Sequence, residues 1–239
     1  MRLLVTRPRD DAEAFAGLLR ARGHEPVIAP IMEVHPVPGP HLSCEGVQGV
    51  LATSANGVRA LAARTARRDL AVYAVGPQTA EAARMAGFAD VINSAGDSAQ
   101  LVETVASKAD PNNGVLLHAA GAETAGRVKQ ALTARGFIVE TIVLYEALPV
   151  PQLPAIGQTA LREGTLDGVL LFSPRSAKTF SALVNEAKLA DACAPLVAFC
   201  ISAATAEALA PLIFARVAVA GTPNQDAILD LIPGPGPLR

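Results

Sequence analysis

The chain contains no tryptophan, and only 4% of its 239 residues are aromatic. A core without large rings must be built from Ala, Val and Leu, which suits close packing of helices on sheets. Cysteine is scarce too: Cys44, Cys193 and Cys200 are odd in number and lack metal-ligand spacing. They argue against a disulfide framework and read as reduced, structural thiols of a cytoplasmic protein. The four histidines, His24, His35, His41 and His118, stand singly, so no His/Cys/Asp/Glu cluster suggests a metal site. Charge of one sign is missing as well. A net charge of −2 offers no surface for a polyanion, which excludes nucleic acid as the expected partner. No apolar run approaches the ~20 residues of a membrane span. The first residues read as a strand entering a turn, not as a signal peptide.

What is present is repetition. Hydrophobic residues make up 51% of the chain and charged residues 18%, enough for a core and too apolar for global disorder. The length is generous for one domain and comfortable for two of about 100–120 residues. The segment "GVLATSANGVRALA" from Gly49 matches "GVLLFSPRSAKTFS" from Gly168. "AVGPQTAEAA" from Ala74 matches "CISAATAEAL" from Cys200. "LLVTRPRDDAEAFAGLLRARG" from Leu3 matches "LLHAAGAETAGRVKQALTARG" from Leu116, in the opposite order along the chain. One copy is continuous; the other is cut into an N-terminal piece and the C-terminal third. Such self-similarity implies two like supersecondary units. The circular offset implies that the chain starts one domain, builds the other, and returns. Two crossings between domains imply a cleft, a favoured place for a ligand.

Short apolar runs alternate with helical patterns throughout. Strands are expected near 3–6, 26–29, 31–37, 47–52, 71–75, 91–92, 115–118, 137–148, 169–172, 196–201 and 217–220. Helices fill most of the intervals, the first capped by Asp10 or Asp11 and closed by Gly23, and another over 123–135. The alternation implies parallel sheets covered on both faces. The fold class expected is α/β: two similar flavodoxin-like doubly wound parallel-sheet domains, one discontinuous, joined by a two-segment extended hinge. The discontinuous domain takes 1–34 plus 150–239, the inserted one 38–145, and the hinge segments fall at 31–40 and 140–151. The Pro/Gly tail "PGPGP" is expected to fray.

In doubly wound sheets ligands bind beyond the carboxyl ends of the strands. The turns there are "TRP" at Thr6, "TSANG" at Thr53, "VGPQTA" at Val75, "HAAG" at His118, "FSPRS" at Phe172 and "ISAATA" at Ile201. They are rich in Ser, Thr and Gly and open helices, whose N-terminal N–H groups attract anions. None is a phosphate loop or dinucleotide fingerprint. Thr53, Ser54, Gly76, Gly121, Ser173 and Ser176 lie in these turns, where Ser and Thr also read simply as N-caps. Arg7 and Arg175 read as carboxylate binders or as surface ion pairs. Thr79 and Thr205 sit at matching places in the two repeats, through function or through shared architecture. His118 is a site residue or a satisfied core histidine. Tyr145, in the second crossing segment, is an acid or a packing residue. Asp10, Asp11 and Glu123 read as helix-start charges.

Taken in order, "LLVTRP", "TSANGV", "AVGPQTA", "ETIVLYEA", "FSPRSA" and "TAEAL" resemble uroporphyrinogen-III synthase over nearly the whole chain. The resemblance implies the interrupted two-domain α/β topology and a linear tetrapyrrole substrate, hydroxymethylbilane. It implies closure to uroporphyrinogen III with loss of water and inversion of the last ring through a spiro intermediate, with no metal or organic cofactor. It places the active-site tyrosine at Tyr145 and the threonines at Thr79 and Thr205. Substrate contacts by that resemblance fall at Thr53, Ser54, Ser173 and Ser176, and Arg7, Gly76, His118, Gly121 and Arg175 join them as candidates from their places at the strand ends. A monomer is expected because nothing suggests a coiled coil or an apolar exposed helix. A cytoplasmic location follows from the reduced thiols, and hydroxymethylbilane synthase is the expected supplier upstream. One departure stands out. "ISAATA" puts Ser202 at the usual Gly and Ala204 where Thr occurs, so a glycine-dependent backbone conformation is expected to be relaxed there. Thr205 is then the better candidate in that turn.

Two classes of function fit these residues. One is a cyclising lyase; the other is a non-catalytic module whose two domains close on an anionic metabolite. They differ in turnover, and in whether Tyr145 matters beyond binding. A nucleotide-dependent transferase is disfavoured, because the chain has no phosphate loop.

Overall fold

The structure is a computed structural model that describes residues 1–123 and 126–234. In chain order the elements are β1 (Arg2–Val5), α1 (Arg9–Ala21), β2 (Glu25–Ile28), β3 (Met32–Pro36), β4 (Val47–Ala52), α2 (Ala55–Arg64), β5 (Ala71–Ala74), α3 (Pro77–Met85) and β6 (Val91–Asn93). Then follow α4 (Ser98–Lys108), β7 (Val115–Gly121), α5 (Arg127–Thr133), β8 (Ile138–Pro149), α6 (Ala155–Arg162), β9 (Gly168–Leu171) and α7 (Pro174–Glu186). Last come β10 (Val197–Cys200), α8 (Ala203–Glu207), β11 (Arg216–Val219) and α9 (Gln225–Leu231).

The chain divides into two compact units. The first takes Met1–Glu33 and the chain from Leu148 on; the second takes Val34–Ala147. The first unit carries a five-stranded sheet in the order β11-β10-β9-β1-β2. Every pairing in it is parallel. The second carries β3-β8-β7-β4-β5-β6, and the pairings from β8 to β6 are parallel. Set β6-β5-β4-β7-β8 against β11-β10-β9-β1-β2 and the two sheets are one design with the chain entering at different points. β4 corresponds to β9, β5 to β10 and β7 to β1, the circular offset of the repeats. Register agrees: Gly49 pairs with Leu116, and its repeat partner Gly168 pairs with Leu3. β3 joins this design beside β8, where Val37 N–H donates to Leu144 O and Val150 N–H donates to Ile31 O. The reversed order of those partners makes the pair antiparallel.

Burial explains the elements. All four residues of β9, "GVLL", are buried, as expected of a strand covered on both faces. In α1 the buried Ala12, Phe15, Ala16 and Leu19 form one stripe at helical spacing. Ala12, Phe15 and Leu19 pack with Leu3, Val5, Leu170, Phe199 and Ile228 in the first unit's core. In the second unit successive strand residues feed opposite faces. Val50 and Val72 meet Val58 and Leu61 on one side, while Leu51 and Tyr73 meet Leu101 and Leu132 on the other. Gly23, Gly87 and Gly136 close their helices in the left-handed region, with φ of 77°, 89° and 89°.

Three local expectations need correction. Neither Asp10 nor Asp11 caps α1; the N-cap is Pro8, with no side-chain cap, and both acids sit in the first turn. β7 does not stop at His118 but continues through Ala119, Ala120 and Gly121, so His118 is inside a strand. The helix expected from Glu123 begins at Arg127, with part of the interval outside the described residues. The Pro/Gly tail also lies outside them from residue 235 on. The thiols are free and buried, and burial pushes those of Cys193 and Cys200 up to about 11.

α2 lies close over β7. A Cβ added at Gly57 would fall 2.5 Å from the carbonyl oxygen of Ala119, a backbone atom with no freedom to yield. Gly17, exposed in the interior of α1, has nothing within 4 Å of an added Cβ. The same substitution should therefore have opposite signs at the two sites. Gly57→Ala should cost about 1–3 kcal/mol through overpacking, and Gly17→Ala should gain about 0.5–1 kcal/mol through helix propensity. Urea unfolding of both variants checks this; equal shifts would mean that α2 does not approach β7 as described.

Candidate functional site

Each sheet has one place where strand order reverses, between β4 and β7 in the second unit and between β9 and β1 in the first. Helices leave such a point in opposite directions and open a crevice beyond the strand ends. In the second unit that crevice is a cavity of about 310 Å³ lined by Thr53, Ser54, His118, Arg127 and Tyr145, among others.

The residues reach it by identifiable means. Ser54 caps α2: its Oγ accepts from Gly57 N–H at 3.0 Å. Tyr145 is brought in by a β-bulge. Ala120 pairs with Val143 but Gly121 pairs with Tyr145, so β8 carries one extra residue there. Bulges re-aim side chains in this way. The Tyr145 ring then lies against Gly121, where an added Cβ would fall 2.7 Å from Cζ. Its hydroxyl is 2.8 Å from Ser54 Oγ. Thr53 Oγ1 is 3.4 Å from His118 Nε2. His118 is 1% exposed, and its Nδ1 is buried with no hydrogen-bond partner among the described residues.

The internal repeat separates architecture from site. Ser54 and Ser173 are equivalent, and both are N-caps. Thr79 and Thr205 are equivalent, and both are buried in the first turn of a helix. Thr205 is tied to the cap, its Oγ1 3.0 Å from Ser202 Oγ. Three residues lack a like partner. His118 occupies the register position of Val5, a fully buried apolar residue. Thr53 stands where the first unit has Phe172. Tyr145 has no counterpart, because β2, the equivalent of β8, is only four residues long. Polar groups thus replace apolar ones at these places in the second unit, whereas in the first Thr6 and Arg7 stand where the second has Ala119 and Ala120.

The other sequence-derived candidates fall elsewhere. Arg7 is engaged within the first unit. Nη1 donates to Gln225 at 2.8 Å, Nη2 lies 3.3 Å from Asp11, and the guanidinium stacks 4.5 Å from the Phe172 ring. Ser173 and Ser176 bond each other in a capping box. Arg175 is half-buried in the first turn of α7, and Gly76 is the N-cap of α3. The departure at Ser202 does not relax the turn. Gly76 and Ser202 have φ of −160° and −158°, extended backbone open to any residue, and Ser202 adds a side-chain cap. Arg127 was not singled out in the sequence; it follows a Gly in an expected helix interior and carries no motif.

His118 is held below its ordinary pKa first by burial and then by the charge of Lys129. A proton therefore binds the unfolded chain more readily than the folded one. Stability from this group is present above about pH 6.5 and is lost as pH falls through that value. His24 shifts the same way, from burial, the N-terminus and Arg22. Between about pH 7.5 and about pH 5.5 the parent should lose more in urea midpoint than His118→Gln does. Equal losses would mean that His118 titrates freely.

Among the described residues no helix is long and apolar enough to cross a membrane, and no group of three His, Cys, Asp or Glu side chains could hold a metal. The family model described as uroporphyrinogen-III synthase HemD matches residues 13–230. The uroporphyrinogen-III synthase of Synechococcus elongatus is 30% identical over 199 residues, covering 76% of this chain and 74% of that protein. That of Chlorobaculum parvum is 27% identical over 207 residues, covering 79% and 81%. Among solved structures, the uroporphyrinogen-III synthetase of Helicobacter pylori aligns with a TM-score of 0.62 at 18% identity, covering 97% and 98%. That likeness shows the shared fold.

Proposed function

The chain belongs to the uroporphyrinogen-III synthase family, and we propose that the cavity around Tyr145 is where it acts on its tetrapyrrole. The activity is that of a carbon–oxygen lyase of porphyrin biosynthesis. It closes hydroxymethylbilane to uroporphyrinogen III with inversion of the last ring and loss of water. The observation that supports this site is the Ser54–Tyr145 contact of 2.8 Å, which holds a phenol at the strand-order reversal of the second unit. At about 310 Å³ the cavity suits the reacting end of the substrate rather than its whole length.

The chemistry asks for little. Tyr145 gives its proton to the departing hydroxyl; the C–O bond breaks, water leaves, and the pyrrole nitrogen's electron pair forms an azafulvene cation. The last ring's bridge-bearing carbon attacks that cation to form the spiro intermediate. Its bond to the bridge then breaks to leave a second azafulvene cation. The ring's free carbon adds to that cation, and the proton this carbon loses returns to the phenolate. Thr53 and Arg127 contribute placement, Arg127 through the carboxylates that the substrate carries. Thr79 and Thr205 act through the helix starts they support. We take the enzyme to be a cytoplasmic monomer supplied by a hydroxymethylbilane synthase. A bilane that closes spontaneously has to be taken up soon after its release.

Purified protein given fresh hydroxymethylbilane should yield predominantly the type III isomer. Type I alone, the product of spontaneous closure, would favour a binding module that has kept the fold without the activity. Tyr145→Phe should slow type III formation by about ten- to a hundredfold without abolishing it, since positioning remains. A fall to the spontaneous background would make the phenol indispensable and overturn that expectation. Gly121→Ala should mimic it, because the new Cβ displaces the ring tip while the rest of the unit is unaffected. A normal rate in Gly121→Ala would show that the ring's position is not critical.

A further inference from the structure

The contact between Ser54 and Tyr145 has a direction, and the direction decides what the phenol can do. Ser54 Oγ already accepts the N–H of Gly57 at 3.0 Å. One lone pair and one proton remain to it. Tyr145 Oη, at 2.8 Å, either receives that proton or gives its own. Two features favour receipt. A hydroxyl that accepts a hydrogen bond becomes a stronger donor. Ser54 also stands at the N-terminus of α2, a ten-residue helix whose positive end favours electron density, not a proton, on the neighbouring oxygen.

We propose that Ser54 is a positioning residue that donates its hydroxyl proton to Tyr145 Oη, turning the phenol proton toward the cavity and stabilising the phenolate left after transfer. The relay runs from Gly57 N–H to Ser54 Oγ–H to Tyr145 Oη. It rests on the reading of Tyr145 as the acid. Ser173, the equivalent cap in the first unit, spends its Oγ on Ser176 instead, 3.1 Å away. Capping is therefore common to both serines, and the contact with a phenol belongs to Ser54 alone.

The test separates capping from donation. Ser54→Asp keeps an acceptor at the N-cap and puts a negative charge at the helix start, both favourable, yet a carboxylate has no proton to give. Ser54→Ala removes cap and donor; Ser54→Thr keeps both. The chain has no Trp and two Tyr, so ultraviolet difference spectra between variants report Tyr145, Tyr73 being common to all. A phenol that loses a donor to its oxygen absorbs at longer wavelength; one that loses an acceptor for its proton absorbs at shorter wavelength. Ser54→Ala should move the band to longer wavelength, and Ser54→Asp further the same way. In kinetics, Ser54→Asp should lose kcat within about twofold of Tyr145→Phe, the double variant should lose no more, and Ser54→Thr should recover most of what Ser54→Ala loses. A shift to shorter wavelength in Ser54→Ala, or additive losses in the double variant, would overturn the proposal. Shifts of the expected sign with no type III product from the parent would sink the reading of Tyr145 as an acid while leaving the hydrogen bond's direction intact.

Discussion

Everything at the site depends on parallel pairing of β4 with β7 under a helix that lies against them. Parallel strands need crossovers, the crossovers cover both faces of the sheet, and the order must reverse once. In the second unit the reversal brings the ends of β4 and β7 together, and Gly57 lets α2 settle close over the carbonyl of Ala119. That approach sets where the first turn of α2 sits, and so where the cap Ser54 sits. The bulge in β8 supplies Tyr145 to the same spot from the next strand. Cap, bulge and close helix contact are backbone devices. Each holds a side chain from below, with little reliance on long flexible groups.

The first unit shows the same architecture with other residues at its reversal point. There Thr6 Oγ1 donates to Leu170 O, and Arg7 stacks on Phe172 while bonding Gln225 and Asp11. Phe172, on which the guanidinium stacks, stands where the second unit has Thr53. β2 ends after four residues and has nothing to send across. Two copies of one plan have thus diverged, and in the second the reversal point opens on a polar cavity. The divergence is carried by a few positions: Val5 against His118, Phe172 against Thr53, and the length of β2 against that of β8.

The alternation of strands and helices was legible because each element buries an apolar run or stripe of the proper period. Even the exact span of β4 follows from "VQGVLA" lying between a turn and a Ser cap. The repeat offset carried the circular relation of the two sheets. Other features were closed to sequence. β7 runs on through Ala119, Ala120 and Gly121, small residues that read as a turn but are held extended by pairing with β8. The bulge is a property of two strands in register and leaves no mark on either alone. Ser202 looked like a loss because a missing glycine suggests lost conformational freedom; only the extended φ shows that none was needed. Arg7 read as a candidate ligand because its partners, Gln225 and Phe172, are far away in the chain.

His118 remains the costliest residue of the site. Its position is a core position, as Val5 proves in the other unit. Burial there makes the protonated ring unfavourable, and one ring nitrogen has no partner among the described residues. An orphaned buried polar atom costs on the order of 1–3 kcal/mol, and a valine would avoid the cost. Local rules are broken in this way chiefly where function compensates for the instability. A neutral imidazole beside Thr53 keeps the cavity wall polar without adding charge. In the proposed reaction a second cation beside Arg127 would add to the charge facing the substrate's developing cation, and an apolar residue would offer nothing to orient a pyrrole N–H. A neutral histidine avoids both.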